Sequence, residues 1–145
     1  MPSWRETTSQ QAQADLDELL NASPGFAQQQ LAIHGEFYPY AAAIRPDGQT
    51  EMIAGQARTA SEHPAAAEII ASCVAQLASR QHAIRAAAIV ADVRLPDNGG
   101  DAIEVSLEHV DGQALRVLLP YARRKAFTYG PIRAQGGNRR IWSHS

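Results

Sequence analysis

Asp92, Arg94, Glu104, Glu108 and Arg116 fall on even-numbered positions of three successive strand-like stretches, and no other residues of the chain have more chemical scope. Carboxylates that face one another repel. The repulsion is relieved when one group keeps its proton at neutral pH, as a general acid must, or when a cation sits between them. Arg94 and Arg116 are the cations at hand. With Asp92 opposite Glu104, the five residues form a candidate binding face or an acid–base site. Glu104 and Glu108, four residues apart on one strand, are about 13 Å apart and too distant to act as a direct pair. A solvated face knitted by arginine–carboxylate pairs is the simpler reading of the same residues, because carboxylates are also perturbed in purely structural networks.

Whether these residues share a face depends on strand register, since a slip of one residue moves every side chain to the other side of a sheet. The stretch Ala83–Tyr121 reads as three strands joined by two glycine-containing turns. Ile103, Val105 and Leu107 alternate with Glu104, Ser106 and Glu108, and the next strand places Leu115, Val117, Leu119 and Tyr121 on odd numbers as well. A three-residue Val110-Asp111-Gly112 loop with Gly112 at positive φ brings the two apolar sets together and sets Leu107 against Leu115. The same reasoning applied to Pro96-Asp97-Asn98-Gly99-Gly100 sets Leu95 against Asp101 and Val93 against Ile103. The expected core face is odd-numbered throughout, with Asp92 opposite Glu104, and Arg116 opposite Ser106, on the even face.

No other constellation competes. His109 ends the inward face of its strand and reads as an edge-of-core histidine. It has no second ligand at a metal-binding spacing, and His34, His63, His82 and His144 lie at element ends or in the tail. The single cysteine, Cys73, falls on a helical apolar stripe and reads as packing. There is no Gly-x-Ser-x-Gly elbow, phosphate-binding loop or dinucleotide fingerprint, and Gly99-Gly100 and Gly136-Gly137 are explained as turns. No catalytic residue, cofactor or metal is expected, and the residues favour binding over catalysis.

The formal net charge of −2 hides an asymmetry. All fifteen acidic residues lie at or before Asp111, where they face six basic ones, a formal −9; residues 112–145 hold seven basic residues and no acid. Arg123, Arg124, Lys125, Arg133, Arg139 and Arg140, interleaved with Phe127, Tyr129 and Trp142, have the composition of a nucleic-acid contact. The acidic body offers an intramolecular alternative, and an arginine-bearing edge strand also resists edge-to-edge pairing. Specific nucleic-acid binding is therefore not expected.

The elements that must position these residues follow from periodicity and punctuation. Thr8–Ala22 predicts a helix capped by Thr7, Thr8 or Ser9, with Leu16, Leu19 and Leu20 as its stripe. Pro24 restarts a second helix through Ile33, which Gly35 ends. Glu36–Arg45 and Gln49–Ala57 form a hairpin about Pro46-Asp47-Gly48. Ile69, Ile70, Cys73, Val74, Leu77 and Ala78 recur at helical spacing within Pro64–Gln81, and this helix is expected to cover the odd face of the three strands. One or two short edge strands follow Tyr121. Residues 1–145 thus form a single α+β domain, with residues 1–7 and 143–145 as loose ends. Its helices are expected on one face of a mainly antiparallel, curved sheet, in the order α-α-β-β-α-β-β-β plus edge strands. The first residues, MPSWRETTSQQAQ, contain no apolar leader, and no apolar run is long enough for a membrane span, so a soluble cytoplasmic protein is expected.

Gly35-Glu36-Phe37-Tyr38-Pro39-Tyr40-Ala41, Asp47-Gly48, the run from Arg85 to Arg94, Asp101-Ala102-Ile103, Leu107-Glu108-His109, Pro120-Tyr121, Tyr129-Gly130 and Arg139-Arg140-Ile141-Trp142 together resemble an uncharacterised family of small bacterial proteins. The resemblance covers most of the chain and implies no activity. By element order the chain is also similar to cystatin-like cones such as nuclear transport factor 2-like domains, which hold ligands in a cup. Two functions remain. One is a small binding or protein-interaction module whose partner is another protein or a second copy, docked through the even sheet face or an edge strand. The other is a cone-shaped ligand-binding domain or lyase/isomerase-like enzyme using Asp92 and Glu104.

Overall fold

Ser9 opens the first helix by accepting the Ala12 N–H at 3.1 Å on its hydroxyl, one of the donors a helix start leaves unsatisfied. This helix, α1 (Gln10–Ala22), is followed at once by α2 (Pro24–His34), with proline in its first turn and Gly35 closing it at φ 75°. A computed structural model describes residues 8–54, 66–96, 100–123, 127–130, 132–137 and 139–142. The expected loose ends 1–7 and 143–145, the Thr59–Pro64 loop, the tip Asp97-Asn98-Gly99 and the side chains of Arg124 and Lys125 lie outside the described residues.

The remaining elements are β1 (Tyr40–Ile44), β2 (Thr50–Ala54), α3 (Ala66–Ser79), β3 (Ala86–Arg94), β4 (Asp101–His109), β5 (Ala114–Arg123), β6 (Phe127–Tyr129) and β7 (Arg133–Gly136). They give the expected α+β class and element order. The strands form one antiparallel sheet in the order β2-β1-β3-β4-β5-β6, and β7 also pairs with β5. No helix among the described residues is long and apolar enough to cross a membrane.

Two registers follow from two turns, and only one is the expected one. Between β4 and β5 the loop is Val110-Asp111-Gly112, with Gly112 at φ 117° and Leu107 opposite Leu115. Between β3 and β4 the loop is one residue longer than expected. Arg94 pairs with Asp101, so Asp92 faces Ile103 and Val90 faces Val105. The slip puts the even-numbered residues of β3 on the same side as the odd-numbered residues of β4 and β5.

This slip moves α3. One core joins Leu16, Leu19, Ala27 and Leu31 of α1 and α2 to Ala88, Val90, Ile103, Val105, Leu107, Leu115 and Val117. A second joins Ile69, Cys73 and Leu77 of α3 to Ala41, Ala43, Ala87 and Ile89. Successive residues of β1 and β3 point to opposite faces, so α1 and α2 lie on one side of the sheet and α3 on the other, not all on one face as expected. The physical reason is that β1 and the first six residues of β3 are buried on both faces. Such strands read as continuous apolar runs, without the alternation that would fix their register.

Two polar ties hold these layers. The Tyr40 hydroxyl donates to the Ser23 carbonyl and accepts the Ala27 N–H at 3.0 Å, fixing the break between α1 and α2 against β1. Beyond α3, Arg80 Nη2 lies 2.6 Å from Glu51 Oε2 on edge strand β2, and this contact holds the Glu51 carboxyl below its ordinary range. Cys73 is fully buried, as expected of a packing residue, and burial pushes its thiol up.

Candidate functional site

The sheet separates the two carboxylates that the sequence pairs. Asp92 lies on the α1–α2 side, where its Oδ1 accepts the Tyr121 hydroxyl at 2.6 Å, and Arg94 follows it on that side at the exposed end of β3. Glu104 lies on the α3 side, opposite Leu118 and Ala91. Arg116 stands opposite Ser106, as expected, and its Nε donates to Glu104 Oε2 at 2.6 Å; the Ser106 hydroxyl reaches Oε1 at 3.3 Å. The Arg116 side chain is 40% exposed, so this pair is of the type that contributes about 0–1 kcal/mol.

Glu108 has a different role from the one its place on the even face suggests. Only 3% exposed, its carboxylate gathers main-chain donors from the chain's end. The Arg140 N–H reaches Oε1 at 2.7 Å, the Ile141 N–H reaches both oxygens at 3.2 and 3.1 Å, and the Trp142 N–H reaches Oε2 at 2.6 Å. Hydrogen bonds to an ionised acceptor are among the stronger ones in proteins. They seat Ile141 and Trp142 in the α3-side core, where the indole N–H also donates to the Gln81 carbonyl at 3.0 Å. Gly137 makes the approach possible, since a Cβ there would come within 2.8 Å of the Leu115 carbonyl carbon.

The pinned turn presents two arginines to two surface recesses. Arg139 lines one of about 520 Å³ with Gln81, His82, Val110, Asp111 and Trp142. Arg140 lines another of about 190 Å³ with Glu104, Ser106, Arg116, Gly136 and Gly137. Among the described residues, the acidic body holds the Arg140–Trp142 turn through peptide N–H groups on Glu108, and Arg116 through its guanidinium on Glu104.

His109 is buried under α1. Its Nε2 lies 2.8 Å from Oδ2 of Asp15, and Oδ1 of Asp15 accepts from Arg85 Nη2 at 2.9 Å and Gln11 Nε2 at 3.0 Å. The other ring nitrogen faces Asp111, whose Oδ2 accepts the Ser9 hydroxyl at 3.0 Å. The network locks α1 across the β4–β5 turn. The contacts on the ring come from Asp15 and Asp111, so the arrangement orients a helix. Asp15 escapes sequence reasoning because it sits among Asp17 and Glu18 on an outwardly polar helix; a lone acid flanked by Ala12, Leu16 and Leu19 on the buried stripe is the signal that could have found it. Among the described residues no group of histidine, cysteine and carboxylate side chains could hold a metal ion.

A further surface lies outside the sheet. α2 turns Ala27 and Leu31 inward, while Ile33 is 62% exposed and Phe26 is 42% exposed. Seven residues apart, these two fall on one stripe of the helix. Tyr38, just beyond, is 47% exposed. Phe26 is held edge-on against the Tyr40 ring at a centroid distance of 5.1 Å, which orients it. Compared with protein-family profiles, curated proteins and solved structures, the chain matches none of them.

Proposed function

We propose that the protein is a protein-interaction module that docks a second copy of itself through the outer side of α2. The observation that carries this reading is that Phe26 and Ile33 are both exposed on one side of α2, flanking uncharged Gln29 and Gln30. Large apolar side chains grouped outside the core mark contact sites when they come together, whereas scattered ones need no explanation. The partner follows from charge. From Leu19 to Gly35 there is no Asp, Glu, Lys or Arg, in a chain that is 19% charged and whose first 111 residues carry a formal −9. Two copies repel across most of that acidic body, and α2 is the surface they can share without opposing like charges. The alternative, a ligand cup or lyase-like site using Asp92 and Glu104, has less support because the two carboxylates lie on opposite faces of the sheet.

Two or three half-exposed apolar residues per copy regain a few kcal/mol, which only modestly exceeds the cost of association. Only weak association follows, with a dissociation constant of roughly 100 µM or above. Sedimentation velocity from about 5 to 500 µM is expected to show a monomer–dimer equilibrium, shifted to monomer by Ile33→Glu, which sets two like charges across the two-fold axis. A parent chain that stays monomeric over the whole range would refute self-docking.

A further inference from the structure

The smaller recess on the α3 side has the groups of an oxyanion site. Arg116 spends Nε on Glu104, and its two terminal nitrogens have no partner among the described residues; the Arg140 guanidinium has none at all there. Both arginines line the same recess of about 190 Å³, with the Ser106 hydroxyl at its wall. Gly136 and Gly137 add no side chain to its rim, and nothing lies within 4 Å of where a Cβ on Gly136 would stand. The rim is held in place from below, because the Arg140 main chain is fixed by Glu108 while its side chain is left for the recess.

We infer that this recess binds one carboxylate group, gripped between the guanidinium groups of Arg116 and Arg140. The choice of carboxylate follows from the charge count. Two arginines and Glu104 leave a formal +1, which a carboxylate neutralises, whereas a phosphate dianion would leave a half-enclosed site with a net negative charge. The planar guanidinium fork also matches a carboxylate in geometry. The carboxylate comes either from a free organic acid or from an Asp or Glu side chain of a bound peptide. This site is independent of the α2 stripe, which lies on the other side of the sheet, so loss of self-association would leave it standing.

The test is a titration at constant ionic strength, following the backbone amide resonances of Ser106, Gly136 and Gly137. The probes are acetate, an end-blocked glutamate-rich peptide and inorganic phosphate. Saturable shifts with acetate identify a free acid as a sufficient ligand; saturation with the peptide alone identifies a protein carboxylate that needs contacts beyond the recess. Either result supports the inference if Arg140→Gln weakens it at least about tenfold while leaving the Ile141 and Trp142 amides protected. The inference is overturned if phosphate binds more tightly than both carboxylates, if no probe saturates, or if Arg140→Gln leaves the response unchanged.

Discussion

Replacing Glu108 with alanine tests how the chain's end is held. The substitution strands the N–H groups of Ile141 and Trp142, both buried residues, while the Arg140 N–H, half-buried, can be rehydrated. An unsatisfied buried donor costs about 1–3 kcal/mol, so keeping the turn docked would cost about 2–6 kcal/mol. Docking itself is driven by burying Ile141 and Trp142, about 1.5–3 kcal/mol for each large apolar side chain. The two magnitudes are equal within their spread, so docking becomes marginal and the turn should open often enough to lose its exchange protection. The α1–α2 core takes nothing from residues 139–142 and should stay intact. Glu108→Gln separates charge from shape, since the amide keeps one acceptor oxygen but aims an NH₂ group at the remaining donors. It should also loosen the turn, though less. Hydrogen exchange read by NMR measures this at the Ile141 and Trp142 amides and at the indole N–H bonded to Gln81. Loss of protection at all three, with β3 and β4 still protected, is the expected result. Parent-like protection in Glu108→Ala would refute the reasoning.

Burial pushes the Tyr40 hydroxyl up to about 12, against an ordinary value of 10.0. The folded state therefore favours the neutral phenol, and the associated stability is whole below pH 10 and is lost as pH rises through about 12, some 2–3 kcal/mol in all. Urea unfolding across this range should show that decline in the parent and not in Tyr40→Phe. The variant should also be about 1–3 kcal/mol weaker at neutral pH because the Ala27 N–H loses its acceptor; the same alkaline decline in both proteins would contradict this. Gly112 has open space around it but a φ of 117°, so Gly112→Ala should cost about 1 kcal/mol through backbone conformation alone, and unchanged stability would contradict that.

The sequence was most legible where one face of an element is polar. α1 and α3 show their stripes, and β4 alternates so cleanly that the Gly112 turn and the β5 register follow from parity. Legibility failed at β3, where Ala86 to Ala91 are apolar on both faces. There the register rested on turn length alone, and a loop one residue longer exchanged the strand's two faces. That single slip moved α3 to the other face and separated Asp92 from Glu104. Arg116 was placed correctly because it depends on the β4–β5 turn. Glu108 was missed for another reason. Its partners are peptide N–H groups more than thirty residues away, which no side-chain pattern encodes; the apolar pair Ile141-Trp142 after a cationic stretch was the available hint that this segment docks.

Cross-linking tests self-docking through α2 most directly. Cys73, the only native thiol, is fully buried, so a cysteine introduced at an exposed site reports on its own surroundings. Ile33→Cys should form a disulfide-linked dimer under mild oxidation, far faster than the control Gln135→Cys on the exposed strand β7. Equal, slow cross-linking at the two sites would contradict a two-fold contact through α2.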